Sequence, residues 1–175
     1  MTHEPVQPPD GIDDEKFIDS MVAEDALGSV VRGVIYIEHE LIALANEVAI
    51  HPNAIKGMRL TYSGRVALAV TLGLVPTLQP GLDAIGRLRN KYAHDPNFEV
   101  TEKDIDELAA TLDDNVRNAI DHSVMRISER TAGRHPPTFE AQATRDKLTL
   151  IMLCLRQSVR AARTLAPKRR PATGS

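Results

Sequence analysis

Between residues 24 and 50 the apolar side chains Leu27, Val30, Val31, Val34, Leu41, Ile42, Ala45 and Val48 recur at spacings of three, four and seven. That is the period of one face of an α-helix, and a face so long has to be buried against other helices. A second stripe, Ile105, Leu108, Leu112, Val116, Ile120, Val124 and Ile127, repeats the pattern further along the chain. Nothing in between alternates in the way a half-buried strand does. Aromatic residues make up only 3% of the sequence and Trp is missing, so the core has to be packed through Leu, Ile, Val and Ala. A chain of 175 residues is the size of one ordinary domain. The expectation is an all-α, single-domain bundle of about five or six helices over residues 13–166.

Local signals set the element boundaries. Residues 1–12, with Pro5, Pro8 and Pro9 among polar neighbours, bury too little apolar surface to order themselves and read as a tail. The long helix stops at His51, because the residue before Pro52 is pushed out of the helical region. Ser63 reads as the N-cap of a helix through Leu72, and Gly73 as its terminating residue. A helix from about residue 77 closes at His94, ahead of Asp95, Pro96 and Asn97. Thr101 with Asp104 resembles a capping box opening one helix that runs to Gly133. After His135, Pro136 and Pro137 a last helix spans about residues 138–166, and residues 167–175, carrying Lys168, Arg169 and Arg170, form a basic tail.

Charge and cysteine content exclude several classes of function. A net charge of −3 and a pI near 6.1 do not suit a protein that coats nucleic acid by bulk electrostatics. No recognition helix with a basic DNA-reading face is present, which argues against sequence-specific DNA binding. Cys154 is the lone cysteine, so neither an internal disulfide framework nor a cysteine-based zinc site is available. With no cleavable apolar leader and no apolar run approaching the ~20 residues of a membrane span, a cytoplasmic protein without a membrane segment is expected. Glu38-His39-Glu40 point in different directions on a helix, and Glu47 with His51 offers one pair beside a helix break, so no metal site is expected. No phosphate loop, dinucleotide fingerprint or nucleophile elbow implies a cofactor.

The chemistry-bearing stretch is Ile85-Gly86-Arg87-Leu88-Arg89-Asn90-Lys91-Tyr92-Ala93-His94. At about 100° per residue, Arg87, Asn90, Lys91 and His94 share one face. Arg89 lies apart from them, on the side of Leu82, Ile85, Tyr92 and Ala93 that ought to be buried. A buried guanidinium has to be paired, so Arg89 should meet Glu38, Glu40 or Glu47 of the long helix. His94 stands in the last turn, where free carbonyls favour a cation. Metal-free RNA cleavage needs the 2′-hydroxyl activated, the phosphate charge met by a cation and the leaving 5′-oxygen protonated. His94 has the chemistry of an acid or base, Arg89 or Arg87 that of a phosphate ligand, and Asn90 that of a positioning amide; Lys91 and Arg65 are further candidates for phosphate or RNA contact. The same residues also read as architecture, with Arg89 an ion-pair anchor, Asn90 a backbone tether and His94 a helix-end cap.

Thr61-Tyr62-Ser63-Gly64-Arg65, then Ala69-Val70-Thr71-Leu72-Gly73-Leu74, then Leu88-Arg89-Asn90-Lys91-Tyr92-Ala93-His94 resemble, in this order, three motifs of the mannitol operon repressor (MltR) family. Thr61 stands where that family has Ser and Leu88 where it has Ile; the resemblance covers about residues 24–115. Ser63, Gly73 and Tyr92 are its structural positions. The Arg89-Asn90-x-x-x-His94 spacing is also similar to the signature of HEPN domains, all-α modules that often pair so that two motifs line one cleft. That resemblance implies a metal-independent ribonuclease of toxin, defence or RNA-processing type, acting as a homodimer with Arg89, Asn90 and His94 as the catalytic set. The MltR resemblance implies instead a non-catalytic transcriptional regulator acting through protein contacts. An antitoxin or a regulatory protein is the partner these two readings imply.

Overall fold

The computed structural model describes residues 14–22, 26–95 and 97–166. The two tails, residues 1–12 and 167–175, and Pro96 lie outside the described residues. Eight α-helices occur among them: α1 (Asp14–Val22), α2 (Ala26–Val48), α3 (Pro52–Lys56), α4 (Tyr62–Thr71), α5 (Gln79–His94), α6 (Glu102–Ala109), α7 (Asp114–Arg130) and α8 (Thr144–Leu165), with a 3₁₀ turn at Pro76–Leu78 and no strand. They form one helical bundle around a continuous core in which α2 and α8 pack against each other.

The count exceeds the expected five or six for two local reasons. The stripe from Ile105 to Ile127 is continuous in sequence but not in backbone. α6 ends at Ala109, and Asp113 caps a new helix by accepting from the Val116 N–H at 2.9 Å, while the Arg117 guanidinium donates back to the Leu112 carbonyl at 3.0 Å. The connector after His51 is itself a single turn of helix with no buried residue. The last helix starts at Thr144 rather than Thr138, because the Gln142 amide donates to the carbonyls of Pro136 and Thr138 and holds residues 136–142 in turns.

Other expectations hold or shift by one or two residues. Thr101 and Asp104 make the capping box of α6 in both directions. α4 is capped by Thr61, whose hydroxyl accepts from the Gly64 N–H at 3.2 Å; Ser63, expected as the cap, sits inside the first turn with its Oγ 3.2 Å from Thr61 Oγ1. Thr61 has the extended backbone a cap requires. At the other end of α4 the Leu74 N–H reaches back to the Ala69 carbonyl at 2.9 Å and the Gly73 N–H to Val70 at 3.1 Å. Gly73 closes this loop at φ +112°, a conformation a side chain would strain. The buried face of α2 runs through Val30, Val34, Ile37, Leu41 and Leu44. Leu27 and Val31, expected in that face, are exposed, as is Ile35 at 57%.

Candidate functional site

The site begins with a glycine. Tyr62, at the first turn of α4, lays its ring against α5 where Gly86 has no side chain; a Cβ there would stand 2.7 Å from the ring. The Tyr62 hydroxyl donates to the Leu82 carbonyl at 3.1 Å, which fixes the start of α4 against the middle of α5. Burial first, then the negative potentials of Asp83 and Glu38, push the Tyr62 phenol well above its ordinary range, while Arg89 pulls the other way. Asp83, Arg89 and Tyr62 thus share one electrostatic neighbourhood.

A groove of about 520 Å³ opens along this junction, lined by Thr61, Tyr62, Ser63, Asp83, Gly86, Arg87, Arg89 and Asn90. On α5 the residues Asp83, Arg87 and Asn90 follow spacings of four and three and form one wall. Arg89 enters from the packed side. Its residue is half-buried and its Nε is sealed from solvent without a hydrogen-bond partner among the described residues.

The partner expected for Arg89 is not there. Glu38 pairs with Arg65, Glu40 with Arg156 at 3.3 Å and Arg163 at 3.0 Å, and Glu47 with Arg163 at 3.2 Å. All three carboxylates of α2 are taken by other arginines. Neither hydrogen bond nor ion pair commits the side chains of Asp83, Arg87, Arg89 or Asn90 to another described residue.

The remaining sequence candidates lie elsewhere. Lys91 donates to Asp104 at 2.6 Å and borders a neighbouring cleft between α5 and α6 that it shares with Arg87 and Glu107. Burial works to raise the Asp104 carboxyl, but hydrogen bonds from Lys91 and Thr101 outweigh it and hold the group at about 2. Arg65 turns to a third cleft between α2, α3 and α4, beside Leu41, Asn46 and Met58. His94, the last residue of α5, is exposed and does not line the groove. Tyr92 is buried edge-on to Phe98, ring centres 4.9 Å apart, whereas Ala93, expected on the same buried face, is exposed.

The structure therefore brings Arg87, Arg89, Asn90 and Ser63 together and leaves Lys91, Arg65 and His94 outside. Four groove residues, Thr61, Tyr62, Asp83 and Gly86, were not among the expected site residues. Thr61 was masked by the equally suitable Ser63 two residues on, and Asp83 carried a signal in its i, i+4, i+7 relation to Arg87 and Asn90. No group of three or more His, Cys, Asp or Glu side chains able to hold a metal occurs among the described residues, and none of their helices is long and apolar enough to cross a membrane. No protein-family profile, curated protein or solved structure matches the chain.

Proposed function

We propose that the groove between α4 and α5 binds the phosphodiester backbone of RNA, and that two copies of the chain act together as a metal-independent endoribonuclease of the HEPN type. The observation that carries this reading is Arg89, a guanidinium with no carboxylate partner among the described residues, on the wall of an open groove beside Arg87 and Asn90, which are equally uncommitted among them. Desolvating a cation without a partner is costly, and an anion entering the groove removes that cost.

In this reading Arg89 and Arg87 take the charge that develops on the phosphate and Asn90 orients it. The 2′-oxygen to phosphorus bond forms as the phosphorus to 5′-oxygen bond breaks; one proton leaves the 2′-hydroxyl and one joins the 5′-oxygen. His94 from a second copy gives or takes one of these protons and solvent water exchanges the other; the second copy is needed because on its own helix His94 stands five residues beyond Arg89 and outside the groove. A two-fold pairing presents each groove with the other copy's helix end.

A second reading has its own observation. Leu27, Val31 and Ile35 form an exposed apolar stripe at spacings of four on α2, a surface suited to protein contact, and this favours a non-catalytic regulator of MltR type with an antitoxin or other protein partner. Incubating purified protein with a mixed-sequence RNA in EDTA separates the two. Cleavage that is lost in both His94→Ala and Arg89→Ala, each still helical and melting as the parent does, supports the enzyme. RNA left intact by a folded dimer ends it.

A further inference from the structure

The groove holds one feature that phosphate binding does not need, a carboxylate. Asp83 lies one turn before Arg87 on the same face of α5, about 6 Å away along the axis, and lines the groove with both arginines. It forms no hydrogen bond or ion pair with either of them among the described residues. In a pocket meant only for an anion such a group is a liability, because it repels what the arginines attract. Uncommitted among the described residues and half-buried, it is placed to accept a hydrogen bond from something attached to the anion.

The groove limits what that can be. Its volume suits a single nucleotide unit rather than a duplex. Its one aromatic residue, Tyr62, is buried against Gly86 with its hydroxyl already committed to Leu82, so no ring face is offered for a base to stack on. Recognition has to come from the sugar and phosphate, and the donor next to a backbone phosphate is the 2′-hydroxyl, the group by which a protein tells RNA from DNA. We infer that Asp83 is the specificity-determining residue of this groove, accepting a hydrogen bond from the ribose 2′-hydroxyl while Arg87 and Arg89 hold the adjoining phosphate, so that the chain selects ribose over deoxyribose with little regard to base.

This inference rests on the RNA-binding reading, and the test separates the two. In the His94→Ala background, which prevents turnover, affinities are measured by fluorescence anisotropy for three decamers of one mixed sequence: RNA, 2′-fluoro RNA and DNA. The 2′-fluoro strand keeps the charge but lacks the donor. RNA should bind about tenfold more tightly than either of the others, the discrimination expected of a hydrogen bond to a charged acceptor. Asp83→Ala should bring the three to equal affinity, and Asp83→Asn, whose amide oxygen still accepts, should keep part of the preference. Asp83→Ala that tightens all three strands equally, leaving their ratios untouched, overturns the inference and leaves Asp83 as a source of repulsion only. If Arg89→Ala alters no affinity, the RNA-binding reading fails and the role of Asp83 fails with it.

Discussion

Arg156 and Arg89 are the same residue type in similar sequence settings, each on an otherwise apolar face of a helix, and the fold treats them oppositely. Arg156 on α8 is 1% exposed and held by Asp14 of α1 at 2.9 Å and Glu40 of α2 at 3.3 Å. Glu40 in turn accepts from Arg163, so three helices meet at one ionic knot. Arg89 on α5 is half-buried at the edge of a groove, and every α2 carboxylate that might have reached it is engaged elsewhere. Burying a charge with its partners supplied is architecture, whereas exposing one to a groove without them leaves binding capacity. The contrast lies in where the carboxylates are, which a single helix cannot show.

The comparison breaks most readily at Glu40. Glu40→Ala strips Arg156 of its buried partner, and removing one half of a buried pair costs about 3–5 kcal/mol. Thermal denaturation should show a drop on the order of 10 °C for a chain of this length. Arg89→Ala should stay within about 1 kcal/mol of the parent, as substitutions away from packed ion pairs do. Equal losses from the two variants would make Arg89 a structural residue after all.

Gly86→Ala sharpens the comparison from the other side, through the junction that creates the groove. The added methyl meets the Tyr62 ring at 2.7 Å, so α4 has to move away from α5, at an overpacking cost of about 1–3 kcal/mol. RNA affinity should fall along with the urea midpoint in this variant. In Arg89→Ala only the affinity should fall.

Asp104 gives the smallest effect and serves as a paired-charge control away from the groove. Its carboxyl is held at about 2, below the ordinary 3.8, so its stabilisation is complete above about pH 4 and is lost as the pH falls towards 2. Asp104→Asn removes that contribution at neutral pH and should show a shallower loss of melting temperature between pH 4 and pH 2 than the parent. An identical acid profile in the two proteins would show that the Lys91 contact contributes nothing to stability.

Helical character, the end of α2 near His51, the Thr101 to Asp104 capping box and the Gly73 terminus were legible in the sequence because each rests on local backbone chemistry. The break between α6 and α7 was not, since Leu112 keeps the apolar period across it and only Asp113 marks a new cap. The exposure of Leu27 and Val31 was equally hidden, because α2 has more apolar residues than its neighbours cover and the period does not say which are left over. At the site, the separation of Arg89 from His94 followed from helical geometry, although Asn90, expected on a different side from Arg89, lines the groove with it. The partners did not, for Glu38, Glu40 and Glu47 were in view but so were Arg65, Arg156 and Arg163, and only the packing of α4 and α8 decides between them.

One measurement bears most directly on Arg89 as a phosphate-binding group rather than a structural ion. The affinity of Arg89→Ala for an RNA decamer is compared with that of the parent, both in the His94→Ala background, with melting curves taken on the same samples. A loss of about tenfold or more in affinity, with the melting temperature unchanged, is the predicted result for removing a charge-assisted contact. Unchanged affinity, or a loss that appears only together with unfolding, contradicts it.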